Sequence, residues 1–203
     1  MRPSARPVHP DELSDFHAVR AELYLAAFEL LRMPPSAAAL RRVRDQISGP
    51  RPHLRQMRGL RELDEALAST SLKEAFEEYT LLFGKPSGPP VPMRCENPGC
   101  QVRGEAFAAV AVLPGEERVS ELKVLALLAE RTTEALGTSS LPEASILTDV
   151  QGRFLVHHAG GCLGALGSQL RQATSPLYSQ VGGALAWLIE EDLRLLGCPD
   201  ASP

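Results

Sequence analysis

The sequence predicts an all-α protein, a single-domain bundle of about eight to eleven helices, and three observations predict it. Alanine and leucine dominate, whereas aromatic residues make up only 5% of the 203 residues, a balance that favours helix over sheet. Apolar residues recur at steps of three and four, and no segment alternates with the period of two that a half-buried strand requires. Cap residues before these segments, and proline or glycine after them, mark helix ends.

Taken in order, Asp11 to Met33 carries Leu13, Phe16, Val19, Leu23, Ala26 and Leu30 on one stripe, and Pro34-Pro35 ends it. Ser36 caps a second helix with Leu40, Val43 and Ile47 inward, closed by Gly49-Pro50. A third runs from about Leu54 to Ala68 on Leu60, Leu63 and Leu67. Ser71 and Glu74 stand in capping-box spacing and open a fourth, in which Phe76, Tyr79, Leu82 and Phe83 share one face. Gly84 is expected to end it in the left-handed conformation, and Pro86 forbids resumption.

From 84 to 103 the chain reads "GKPSGPPVPMRCENPGCQVR", with five prolines and no periodicity, so a long proline-rich loop is expected. A short helix over Glu105–Val112 follows, then one opened by Ser120 and closed by Gly137. Glu143 to Ala173 reads as helix, with a kink or tight helix crossing at the glycine-rich "HHAGGCLGALG". Ser175-Pro176 is an N-cap and first-turn proline for a last helix that buries Leu177, Val181, Leu185, Leu188 and Leu195 and stops at Gly197. Residues 1–10 and 198–203 are expected to be disordered, and no second-domain linker is evident.

Composition restricts function. The segment after Met1, "RPSARPVHPDELSD", has no apolar core and so does not read as a signal peptide. No apolar run approaches the ~20 residues that cross a bilayer, so no stable membrane insertion is expected. Four scattered cysteines fit a reducing, cytoplasmic setting. Net charge is −4, yet "RRVRDQISGPRPHLRQMRGLR" (Arg41–Arg61) holds seven arginines against Asp45, a local +6 that leaves −10 on the remainder. The strip offers one alternative function, a helical nucleic-acid-binding regulator, although no aromatic interleaving or nucleic-acid motif accompanies it. The acidic remainder suits cationic partners.

Motifs for chemistry are sparse. Cys95 and Cys100 in "CENPGC" supply two thiolates where a structural zinc needs four ligands, so a thiol or metal protein is a second alternative and no metal is expected. His157 and His158 point about 100° apart on a helix and lack an identified carboxylate or nucleophile. "GGCLG" lacks the preceding strand and the Lys-Ser/Thr ending of a phosphate loop. Enzymatic activity and a cofactor are therefore not expected. The aromatic face Tyr79, Leu82, Phe83 is either core or, because it runs into a loop without secondary structure, the floor of an apolar groove that receives peptide.

Five blocks carry a resemblance. "EEYTLLFGKPSGPP" resembles the E-Y-x-x-L-F-x-G-P segment and proline-rich loop of the TorD/DmsD/NarJ family of redox enzyme maturation chaperones. "YLAAFELLRMPPS" is similar to its first helix and proline stop, and "SELKVLALLAE" to its L-E-L-E-F-L-A-L-L helix. "RFLVHHAGGCLGAL" resembles F-L-x-x-H-L-x-x-W with His158 on the histidine, and "SPLYSQVGGALAWLIEEDLRLL" the closing helix with Asp192 on its late acid.

The resemblance implies a TorD/DmsD-like cytoplasmic chaperone without enzymatic activity. Its partner would be the apo form of a molybdopterin-containing oxidoreductase catalytic subunit and that subunit's twin-arginine signal peptide, held until the cofactor is inserted. It leaves open monomer or domain-swapped dimer. The peptide-binding residues so implied are Tyr79, Leu82, Phe83 and Pro86, with Pro92 and Met93 on a movable wall, Glu116 and Glu117 receiving the arginine end, and His158. Glu116 and Glu117 stand where the family carries Asp-His, Met93 replaces a loop aromatic and Cys162 a tryptophan, which implies a divergent peptide preference. Guanine-nucleotide binding does not carry over.

Overall fold

The computed structural model describes residues 10–48, 58–84, 100–111 and 120–196. Among them are nine α-helices and one π-helical segment, with no strand, as the all-α expectation requires. The helices are α1 (Pro10–Leu31), α2 (Ala37–Ser48), α3 (Arg58–Ser69), α4 (Leu72–Phe83) and α5 (Gln101–Ala109). There follow α6 (Ser120–Gly137), α7 (Leu141–Phe154), α8 (Gly160–Arg171) and α9 (Pro176–Leu195), with the π-helical Leu155–Ala159 joining α7 to α8. One apolar core takes residues from every one of them.

Helix α1 is the axis of the bundle. The expected stripe is buried at Val19, Leu23, Ala26 and Leu30, but Arg20, Tyr24, Phe28 and Leu31 are buried as well, so α1 is covered over most of its circumference. It lies along α6 and also packs on α2 and α9. Both long neighbours run antiparallel to it. Lys123, near the start of α6, lies 5.9 Å from the Phe28 ring near the end of α1. Tyr178, early in α9, donates to the Leu30 carbonyl at 3.2 Å, while Asp192, late in α9, meets Tyr24 at 2.6 Å.

The helix ends follow local chemistry. Ser36 Oγ accepts from the Ala39 amide, and Ser71 with Glu74 forms the full reciprocal capping box. Ser175 accepts from the Tyr178 amide and opens α9 ahead of Pro176. Two expected stops differ in mechanism. Gly84 ends α4 at φ −92°, outside the left-handed region; what favours glycine there is space, since a Cβ would stand 2.6 Å from the Thr80 carbonyl oxygen. Helix α6 closes at Gly137, but the left-handed residue is Ser139 (φ 59°), whose successor Ser140 donates to the Ala135 carbonyl.

Helix α5 starts at Gln101, inside the stretch expected to be loop, and ends at Ala109, short of Val112. Residues 54–57 of the expected third helix, and Gly197, lie outside the described residues. Of the kink or tight helix crossing expected at the glycine-rich stretch, the structure shows the crossing, preceded by a π-helical segment. The helix widens into the π-helical segment at Leu155–Ala159, whose closing residue Gly160 would place a Cβ 2.6 Å from the Leu155 carbonyl oxygen. Further on, α8 crosses α9 backbone to backbone at Gly167 and Gly182.

Candidate functional site

Helix α4 packs its aromatic face inward. Tyr79, Leu82 and Phe83 are buried, with Tyr79 and Phe83 ring centres 4.8 Å apart and Tyr178 of α9 5.8 Å from Phe83. The Tyr79 hydroxyl reaches the Leu31 carbonyl at 3.4 Å. Phe76 departs from the expected face: it is 50% exposed, while Ala75 beside it takes the buried position in that turn. Glu78, which the sequence did not single out, receives the Ser175 hydroxyl and the Leu177 amide (3.2 Å), tying α4 to the start of α9. Pro86, Pro92, Met93, Glu116 and Glu117 lie outside the described residues.

His158 joins a charged knot. Its side chain is 2% exposed, stacks on Phe154 at 5.4 Å and places Nε2 3.7 Å from Glu121 Oε1. Arg103 of α5 donates to the same carboxylate at 3.1 Å and lies over the Phe107 ring at 4.3 Å. Desolvation lowers the His158 pKa, the Glu121 charge opposing that shift and Arg103 adding to it. The knot brings together the first turns of α5 and α6 and the π-helical segment. A second knot is larger: Arg20 Nε and Nη2 donate to the two Asp192 oxygens, Tyr24 donates to Oδ2, and Arg20 Nη1 donates to His17 Nδ1 at 2.8 Å. The legible signal was a basic residue within the α1 stripe and an acid within that of α9, at the i+4 position from Leu188.

The alternatives find limited material. Among the described residues no group of three or more His, Cys, Asp or Glu could hold a metal ion. Cys100 is a free thiol at the start of α5, whereas Cys162 is disulfide-bonded, which departs from the reducing setting expected from the scattered cysteines. Cys95 and Cys198 lie outside the described residues. In the arginine strip Arg42 pairs with Glu29 at 3.1 Å, while Arg44 approaches Asp64 at 3.9 Å and Arg61 approaches Glu65 at 3.8 Å. Part of its positive charge is thus met within the chain.

Clefts open on the described surface, and three of them are lined as follows. One of about 550 Å³ lies between α7 and the ends of α1, α6 and α9, lined by Leu136, Leu141, Ala144 and Val156. One of about 520 Å³ follows Gly161, Gly164 and Ser168 of α8 beside Ile189 and Leu193 of α9. The third, about 370 Å³, lies between α1 and α6, with Leu25 and Leu127 on its walls and Glu22, Glu130 and Glu134 around it. Among the described residues no helix is long and apolar enough to cross a membrane. Comparison with protein-family models, curated proteins and solved structures returns no match for this chain.

Proposed function

We propose that this chain is a cytoplasmic maturation chaperone that binds the twin-arginine signal peptide, the apo form, or both, of a molybdopterin-containing oxidoreductase, and that it catalyses no reaction of its own. The observation that carries this reading is where the resembling blocks meet. Tyr24 of the first block bonds Asp192 of the last at 2.6 Å. Tyr79 and Phe83 of the second pack edge-to-face around Tyr178 of the last. Glu121 and His158, from the third and fourth blocks, stand 3.7 Å apart. The residues that carry the resemblance are thus those that tie distant helices together, as expected of positions that specify a shared fold. The acidic surplus outside the arginine strip supports a cationic partner.

Calorimetric titration tests it, using a synthetic peptide with adjacent arginines followed by an apolar stretch. Binding with a Kd of roughly 1 μM or tighter, near −8 kcal/mol, is the expected result. A matched peptide with the arginines replaced by glutamines should bind more weakly. Absence of binding both to the arginine peptide and to the apo catalytic subunit would overturn the proposal.

A further inference from the structure

The seam between α1 and α6 has a shape, a charge and a direction. On α1 the cleft is bordered by Ala18, Ala21, Glu22 and Leu25, and on α6 by Lys123, Leu127, Glu130 and Glu134. Each set follows steps of three, four and seven, the row that one side of a helix presents. Two such rows on antiparallel helices leave a valley between them. Its α1 side is low because Ala18 and Ala21 are small, and Leu25 is left 38% exposed. Side-chain ridges of a third helix fit a valley of this kind.

The charge around it is one-sided. Glu130 and Glu134 are exposed, one helical turn apart near the end of α6, where the helix dipole adds negative potential. Lys123 stands at the other end, and Glu22 on the opposite wall. The occupant this suits is a helix with an apolar stripe and its cations at one end. The two larger clefts described above lack this complementarity. The α8–α9 groove is bordered by one base and one acid, Arg171 and Glu190, and in the cleft beside α7 Asp149 and Arg153 pair with each other at 3.0 Å.

We propose that the α1–α6 valley is the docking site of the client's signal peptide. The peptide lies along it as a helix, with its arginines against Glu130 and Glu134 and its apolar stretch over Ala21, Leu25 and Leu127. This rests on the chaperone reading and gives that function a place on the fold.

The experiment titrates the twin-arginine peptide into the full chain and three variants, each checked for an unchanged helical spectrum. Glu130→Lys with Glu134→Lys should weaken binding roughly tenfold at low salt, with a smaller defect at about 0.5 M salt, because exposed charges are screened. Ala21→Trp, which fills the valley, should weaken binding at both salt concentrations. Glu190→Lys, in the α8–α9 groove, should leave binding unchanged. If that third variant weakens binding and the two valley variants bind normally, the valley is not the site, and the chaperone reading stands. If Ala21→Trp instead dissociates a self-associated form seen by light scattering and binds peptide normally, the valley is a contact between copies of this chain and the inference falls. Failure of the unmodified chain to bind removes the inference together with the signal-peptide part of the chaperone reading.

Discussion

Arg20 of α1 and Asp192 of α9 form a two-pronged ion pair, with Nε–Oδ1 and Nη2–Oδ2 separations of 2.5 Å, and neither side chain is more than 2% exposed. The residues are 172 positions apart, so the pair fixes how the first and last long helices lie against each other. Taking two charges out of water is costly, and what offsets it is the paired geometry together with the Tyr24 and His17 hydrogen bonds. Removing one partner leaves the other charge buried and unmet. Asp192→Asn should therefore lower unfolding free energy by about 3–5 kcal/mol, read from urea denaturation. Arg20→Met combined with Asp192→Leu should recover most of that loss. Additive losses in the double variant would show that the cost lies elsewhere than in the orphaned charge.

The same knot makes stability depend on pH. His17 Nδ1 accepts a hydrogen bond from Arg20 Nη1 and is buried; desolvation first, and the Arg20 charge second, lower its pKa from 6.5 to about 3. The unfolded chain takes up a proton on this histidine near pH 6.5, while the folded chain resists protonation until about pH 3. Between those values the unfolded state binds more protons, so acid favours unfolding. The contribution is fully present above pH 6.5 and is lost as pH falls toward 3, with a slope of at most about 1.4 kcal/mol per pH unit for one proton. His17→Gln keeps a hydrogen-bond acceptor without the titration. Urea midpoints of the two proteins at several pH values between 7 and about 4 should converge, because only the unmodified chain loses this histidine's contribution. A difference that stays constant with pH would rule out His17 as the source.

Sequence periodicity made the helices legible, and it faltered where a side chain's partner is remote. The capping box at Ser71 and Glu74 is local, spanning three residues, and it stands as read. The stripe of α1 was legible in part: a single-stripe reading assumes one buried face, whereas α1 is contacted by α2, α6 and α9, so Arg20 and Tyr24 are buried too. The face of Tyr79 and Phe83 was visible, but Tyr178 is distant in sequence, and only the fold brings its ring against them. Gly84 was read as a conformational need and proves to be a spatial one. The α1–α6 valley was not legible at all. Ala18 and Ala21 look like unremarkable helix formers until a second helix lies beside them.

Two adjacent glycines of α9 should respond in opposite ways to the same substitution. Gly182 faces α8: a Cβ there would stand 2.5 Å from the Arg171 amide nitrogen and 2.6 Å from both the Gly167 carbonyl oxygen and Leu170 Cβ. Backbone atoms cannot turn aside as a flexible side chain can, so Gly182→Ala forces the two helices apart. The penalty for such overpacking is about 1–3 kcal/mol, and a crossing held by backbone on both sides belongs at the upper end. Gly183 points the other way and meets nothing within 4 Å. At that position alanine removes only the entropic cost of glycine inside a helix, so Gly183→Ala should stabilise by about 0.5–1 kcal/mol. Thermal melts of the two variants should therefore bracket the unmodified protein, Gly182→Ala below it and Gly183→Ala above. If both shift in the same direction, helix propensity rather than the close α8–α9 crossing governs this part of the bundle.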